Sequence, residues 1–177
     1  AASHAAAKAY AESGMLAAAQ DYELGGMQLP CVVEMAANSF FSKAGIGIGG
    51  GGMLTSGNAN LLMAHGTPKQ REVFARRLFA GQWFGTMCLS EPQAGSSLSD
   101  VATRAVPDGD DFEADPLGPR YRLKGHKMWI SAGEHEITEN IVHLVLAKIP
   151  GAPPGVKGIA LLVVPRRWLP AAGRTAD

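Results

Sequence analysis

The spacing of apolar residues along this chain changes once, near Gly81, from a helical period to an alternating one. Residues 5–12 are rich in alanine, the residue that enters a helix at least cost, and they stop before Gly14, a glycine placed to cap a helix C-terminus. Residues 21–30 read as a loop punctuated by Gly25, Gly26 and Pro30. Residues 31–43 form a second helix on this reading, with Val32, Met35, Ala36 and Ser39 on one side. The clearest start signal is Thr67-Pro68-Lys69-Gln70: Thr67 can cap, Pro68 suits the first helical position, and Gln70 can reach back to close a capping box. The helix it opens is expected to bury Val73, Phe74 and Leu78 and to end near Gly81.

Beyond Gly81 the alternation predicts strands over 83–90, 101–106, 121–123, 127–131, 141–148 and 157–164, separated by turn clusters rich in Pro, Gly and Asp. Successive strands joined by such loops suggest an antiparallel β-barrel or sandwich. The fold class expected is therefore α+β, a helical domain over 1–82 followed by a β domain over 83–177. After the last strand come Arg166, Arg167, Trp168 and a polar tail with no closing strand in view, so the β domain is expected to be incomplete.

Bulk composition narrows the function classes. The 177 residues are 46% hydrophobic and 18% charged, as in an ordinary globular protein. Sixteen basic residues against sixteen acidic ones leave no net field, which disfavours nucleic acid. No apolar run approaches the roughly 20 residues that span a bilayer, and no secretory signal is visible. Cys31 and Cys88 lack metal or redox spacing and read as two reduced core thiols of a cytoplasmic protein.

Five patterns invite chemistry. The run Gly47-Ile48-Gly49-Gly50-Gly51-Gly52 contains GxGxxG, but a helical segment precedes it and no acidic residue lies between Gly52 and Pro68. Close helix packing or a distorted helix is preferred to a dinucleotide site. His126, His135 and His143 with Glu134 and Glu136 lack a zinc-protease spacing and read as solvated loop, so no metal is expected. The acidic run 108–115 reads as a hairpin tip. In Met87-Cys88-Leu89-Ser90-Glu91-Pro92-Gln93-Ala94-Gly95-Ser96, a hydroxyl ends an apolar strand, and small residues leave backbone amides open to an anion. Glu91 is read as an anchor of the turn and not as a catalytic base. In Lys127-Met128-Trp129-Ile130-Ser131, a strand would put the Trp129 indole and the Ser131 hydroxyl on one face, able to stack on a flat ring and bond its edge.

These last two segments resemble the paired signatures of the acyl-CoA dehydrogenases. Glu23-Leu24-Gly25-Gly26-Met27-Gln28-Leu29-Pro30 resembles the family's N-terminal glycine loop, and 139–148 with 155–159 is similar to a longer-chain subclass that includes the 3-methylmercaptopropionyl-CoA dehydrogenases. The resemblance implies a helical N-terminal domain and a middle β domain, without the family's C-terminal helical bundle. It implies FAD as cofactor, with Met87, Cys88, Leu89 and Ser90 along the isoalloxazine, Trp129 and Ile130 against it, and the Ser131 hydroxyl near N5. Ser96 would contact the FAD pyrophosphate or the CoA portion of the substrate.

It implies α,β-dehydrogenation of an acyl-CoA, an electron-transfer flavoprotein as acceptor, and a homodimer or homotetramer. The family's base lies in the C-terminal domain, so no catalytic residue is assigned and residues 1–177 alone are expected not to turn over. Apolar surface is expected where the bundle would pack. Two departures are plain: Ser97 follows Gly95-Ser96 where the family often has Asp, and the glycine run is richer than in a family helix. The same cradle could instead serve an oxidase, a nitroalkane-type substrate or a non-catalytic binding module.

Overall fold

A computed structural model describes residues 2–168. The segment expected to hold no closing strand lies largely outside them. Helix α1 (Ala2–Glu12) is followed by a left-handed Gly14 at φ 76° and a 3₁₀ turn, Met15–Ala17. Helix α2 (Cys31–Ala44) and helix α3 (Ile46–His65) follow. Helix α4 begins as an α-helix at Pro68–Gln70, widens to a π-turn over Arg71–Ala75, and closes as an α-helix over Arg76–Phe79. Its start is the predicted capping box: the Gln70 amide donates to Thr67 Oγ1 (3.1 Å), and the Thr67 amide donates to Gln70 Oε1 (2.9 Å).

The glycine run lies inside α3, with no strand before it, so it cannot form the strand–turn–helix of a dinucleotide site. Close packing explains part of it. A Cβ on Gly52 would stand 2.2 Å from Tyr10 Cε1, and one on Gly49 would stand 2.9 Å from Ser42 Oγ, so α1 and α2 approach α3 closer than any side chain permits. Gly47 and Gly50 face open space.

The side of α2 that carries the expected row of Val32, Met35, Ala36 and Ser39 is exposed. Val32, Met35, Ala36 and Ser39 all face outward, and with Val33, Phe40, Ile46 and Met53 they make α2 and the start of α3 a largely uncovered apolar surface. Ala37, Phe41 and Ile48 turn inward, against Tyr10, Met15, Leu16 and Ala18, and Asn38 Oδ1 accepts from the Tyr10 hydroxyl (2.9 Å). Periodicity found the helix but not which side is covered, because coverage belongs to the neighbour and not to the helix.

Five strands form one mixed, open sheet: β1 (Trp83–Cys88), β2 (Arg104–Pro107), β3 (Tyr121–Lys124), β4 (Asn140–Lys148) and β5 (Ile159–Pro165). This corrects the antiparallel barrel or sandwich. β1 runs parallel to β4, from Trp83↔Asn140 to Cys88↔Val145. β5 is antiparallel to β4, β2 is antiparallel to β3, and β2 meets β4 in parallel at Arg104↔Lys148. Alternation reveals strands but not partners or directions, and parallel pairing needs long connections, here 89–139 between β1 and β4 and 108–139 between β2 and β4. Since β5 lines β4 over Val142–Lys148, β1 and β2 must share its opposite edge. β1 pairs with β4 as far as Val145 and β2 meets it at Lys148, where the Lys148 amide also donates to the Thr103 carbonyl of loop 89–103 (2.8 Å). β4 is buried almost throughout, as a strand paired on both edges should be.

Helices and sheet share one core. Ala59 and Leu62 of α3 and Phe74 and Leu78 of α4 pack with Trp83 and Val142 of the sheet. Trp83 is fully buried beneath the Arg77 guanidinium, 4.8 Å from its ring centroid. Asn58 pins α3 to the sheet by donating through Nδ2 to the carbonyls of Thr86 (3.0 Å) and Val142 (3.1 Å). Among the described residues no helix is long and apolar enough to cross a membrane. Cys31 is exposed and Cys88 buried, so only one of the two thiols belongs to the core.

Candidate functional site

The two segments singled out in the sequence meet where β1 leaves β4. The first is the end of β1 and the loop after it; the second follows β3. Met128 donates its amide to the Ser90 carbonyl (3.0 Å), and Lys127 Nζ donates to the Leu89 carbonyl (3.0 Å) and to Glu91 Oε1 (2.9 Å). The Lys127–Glu91 pair is buried, at 12% and 2% side-chain exposure, so it is shielded from salt and from competing water.

Glu91 anchors the turn, as expected. Its Oε1 also accepts from the Thr103 amide (3.0 Å), while Oε2 accepts from the Ala102 amide and from Gln93 Nε2, both at 2.7 Å. The carboxylate thus draws the strand arriving at β2 toward the strand leaving β1. Burial alone would raise its pKa; donors on Thr103, on Lys127 and at the Ala102 amide outweigh that and lower it from 4.5 to about 2. Such a group does not collect protons near neutrality, which excludes it as a general base. The backbone turns tightly beyond it, with Glu91 and Ala94 exchanging amide hydrogen bonds at 2.8 and 3.1 Å. Gly125 admits the second segment: a Cβ there would lie 2.1 Å from Thr103 Oγ1.

The strand expected over 127–131 is a turn. Trp129 sits at φ 57° and Ala132 at φ 54°, both left-handed, and Gly133 donates to the Ile130 carbonyl (3.0 Å). A bulky side chain in that region is rare and costs on the order of 1–3 kcal/mol. Strand alternation therefore does not place Trp129 beside Ser131. The turn instead lifts the indole into solvent, 74% exposed.

Of the other expected site residues, Cys88 is buried, Met87, Leu89, Ser90 and Ile130 are half-buried, and Ser96 and Ser131 are exposed. Among the described residues, the hydroxyls of Ser90, Ser96 and Ser131 and the amides of Gly95, Ser96 and Ser97 have no protein hydrogen-bond partner. They are open to a ligand. Ser97, in the place where the resemblance favours Asp, donates to Asp100 Oδ2 (2.5 Å), so the carboxylate is still present in the turn, three residues on.

Sequence reading gave Lys127 no role within its segment and missed Thr86 and His143 as parts of this region. Thr86 Oγ1 lies 2.7 Å from His143 Nδ1 across the β1–β4 pair, and Cys88 Sγ lies 3.7 Å from the same nitrogen. Burial pushes the Cys88 thiol up and holds the His143 imidazole below its ordinary pKa. A neutral thiol beside a neutral imidazole is not an activated nucleophile. The one available signal was the offset of Thr86 and Cys88 by two residues on an apolar strand. His135 is half-buried against Phe84, and among the described residues no histidine, cysteine and carboxylate cluster could hold a metal. A cavity of about 1010 Å³ lies elsewhere, between α3, α4, residues 115–121 and β5, and neither segment lines it.

No protein-family model matches the chain. It is 40% identical over 168 residues to the 3-methylmercaptopropionyl-CoA dehydrogenase of Ruegeria pomeroyi, which covers 95% of this chain and 27% of that protein. It is 40% identical over 116 residues to a butyryl-CoA dehydrogenase of Syntrophomonas wolfei, covering 66% of this chain and 18% of that protein. Its fold superposes on an acyl-CoA dehydrogenase from Geobacillus kaustophilus with a TM-score of 0.73 and 28% identity, over 92% of this chain and 40% of that one. The chain thus spans about a quarter of the length of the first of these curated relatives, and in sequence and fold it belongs to the acyl-CoA dehydrogenase family.

Proposed function

We propose that this chain supplies the flavin-binding surface of an FAD-dependent enzyme that dehydrogenates an acyl-CoA thioester between its α and β carbons. The observation that carries the reading is Trp129, a bulky residue at φ 57° whose ring is 74% exposed. Both features cost stability, and the turn that imposes them is bolted to loop 89–103 by a buried ion pair. A flat apolar ligand laid on the indole would repay the exposure. The residues fit FAD: an indole for the ring face, the Ser90 and Ser131 hydroxyls for its heteroatom edge, and the free amides of Gly95, Ser96 and Ser97 for a phosphate.

FAD bound here would accept a hydride from the β carbon. The chain's own part is to orient and polarise. Hydroxyl donors at the ring edge stabilise negative charge that develops there, and Trp129 excludes water from one face. Neither Glu91, bonded to four donors, nor the half-buried His143 is placed to take the α-proton, and on this reading the base is supplied by another part of the longer enzyme, as the family resemblance implies. Residues 1–82 and 83–177 would be the helical and β portions of a longer enzyme. The remaining polypeptide would cover the apolar face of α2 and α3, and an electron-transfer flavoprotein would remove the electrons.

The test is an anaerobic titration of the FAD-loaded full-length enzyme, which includes the part that supplies the base, with acyl-CoA thioesters of graded length, followed in the visible spectrum. Bleaching by a thioester is the expected result. Bound flavin that no thioester bleaches would move the chemistry to another substrate. Failure to bind flavin would remove the reading altogether.

A further inference from the structure

Residues 125–139 connect β3 to β4 and carry Trp129 and Ser131 without any helix or strand of their own. A segment of this length with two left-handed non-glycine residues relaxes unless something holds it. It is held at both ends by ions. At the near end Lys127 bonds Leu89 and Glu91, as described above. At the far end one guanidinium holds three points. Arg166 Nη2 reaches Glu134 Oε1 and Glu136 Oε1, each at 2.6 Å, and Nη1 donates to the His135 carbonyl (3.1 Å).

Arg166 is itself fixed. Its amide donates to the Ile141 carbonyl (2.8 Å). The next residue is clasped by Asn140, whose Oδ1 accepts from the Arg167 amide (2.9 Å) and whose Nδ2 donates to the Arg167 carbonyl (3.1 Å). His4 Nε2 lies 2.6 Å from the Glu136 carbonyl, and Arg167 Nη2 lies 3.7 Å from Glu136 Oε2.

We propose that Lys127 and Arg166 are positioning residues that stretch the segment between them so that Trp129 and Ser131 are presented to the cofactor, and that salt loosens only the Arg166 end. The difference in salt response follows from burial. The near pair is 12% and 2% exposed, whereas at the far end Arg166 is 23% exposed and its partners Glu134 and Glu136 are 69% and 67% exposed. At 0.15 M salt the screening length is about 8 Å, and it acts on exposed charges far more than on buried ones. An isolated exposed pair contributes little, but here one planar fork joins two carboxylates and a carbonyl, an arrangement a lysine cannot copy. The proposal rests on the flavin reading only for what the segment presents; the anchoring itself does not need a cofactor.

The test combines hydrogen exchange of the cofactor-free protein with the rate of FAD release, at low and high salt. In the wild type, the hydrogen-bonded amides within 133–137, those of Gly133 and Ile137, should exchange roughly fivefold faster at high salt, while the Met128 amide should not respond. Arg166→Met should bring fast exchange of 133–137 at low salt, abolish its salt response and speed FAD release. Arg166→Lys should restore these only in part. Lys127→Met can misfold by stranding Glu91, so Glu91→Gln/Lys127→Met serves as its control: it should free the Met128 amide and leave the salt response of 133–137 in place.

Equal salt responses at the two ends, or an Arg166→Met protein indistinguishable from wild type in both exchange and FAD release, would overturn the proposal. A wild type that shows the exchange pattern and binds no FAD would leave the anchors standing and overturn the cofactor role.

Discussion

Replacing Glu91 with glutamine changes one oxygen to an NH₂ group and removes one charge, with almost no change in shape. In the wild type Oε1 accepts from the Thr103 amide and Lys127 Nζ, and Oε2 accepts from the Ala102 amide and Gln93 Nε2. Whichever way the glutamine amide turns, its NH₂ faces two donors, and Lys127 loses its counter-charge in a buried setting. Breaking a buried ion pair from one side costs about 3–5 kcal/mol. The lowering of the Glu91 pKa from 4.5 to about 2 gives an independent figure of about 3 kcal/mol, at about 1.4 kcal/mol per unit. Equilibrium urea unfolding near neutral pH should therefore show Glu91→Gln less stable by about 3 kcal/mol.

The pH dependence carries the sign. A carboxylate depressed in the folded state stabilises fully above its unfolded pKa and loses that contribution as pH falls through its folded one. The wild-type advantage should thus hold above about pH 4.5 and shrink toward pH 2, with the two proteins converging in that window. A loss under about 1 kcal/mol, or a constant gap down to pH 2, would refute the role given to Glu91.

Trp129→Gly should leave the cofactor-free protein as stable or up to about 1 kcal/mol more stable by thermal melts, since it relieves φ 57° and removes little buried surface, while weakening FAD binding; a clear loss of stability would contradict the strain. Gly50→Ala should gain up to about 1 kcal/mol because its Cβ enters open space in α3, whereas Gly52→Ala should lose roughly 1–3 kcal/mol by driving Tyr10 from its bond to Asn38; equal effects in urea unfolding would deny the close packing. Thr67→Ala should cost about 1 kcal/mol through the lost capping box, read by the same unfolding measurement.

Local signals carried far along this chain. The capping box at Thr67, the end of α1 before Gly14 and the helical setting of the glycine run all follow from contacts within a few residues or from the geometry of one helix. Pairing did not follow. Alternation reads the same in a parallel and an antiparallel strand, so the union of β1 with β4, 57 residues apart at Thr86↔His143, left no trace in the local pattern.

At the candidate site both segments were legible because strand-ending hydroxyls, small residues and an indole are an unusual combination. The shape of the second was not, because alternation over 127–131 suggested extended chain where a turn holds Trp129 at φ 57°. Lys127 was quoted within its segment but given no role, since nothing near it in sequence reveals that Glu91 waits 36 residues away.

The central claim is that the Ser90 and Trp129 segments together form a flavin cradle. A structure of the protein loaded with FAD tests it most directly. The isoalloxazine should lie against the Trp129 indole with the Ser90 and Ser131 hydroxyls at its edge. Flavin found instead in the 1010 Å³ cavity between α4 and β5, or anywhere out of contact with Trp129, would contradict the account.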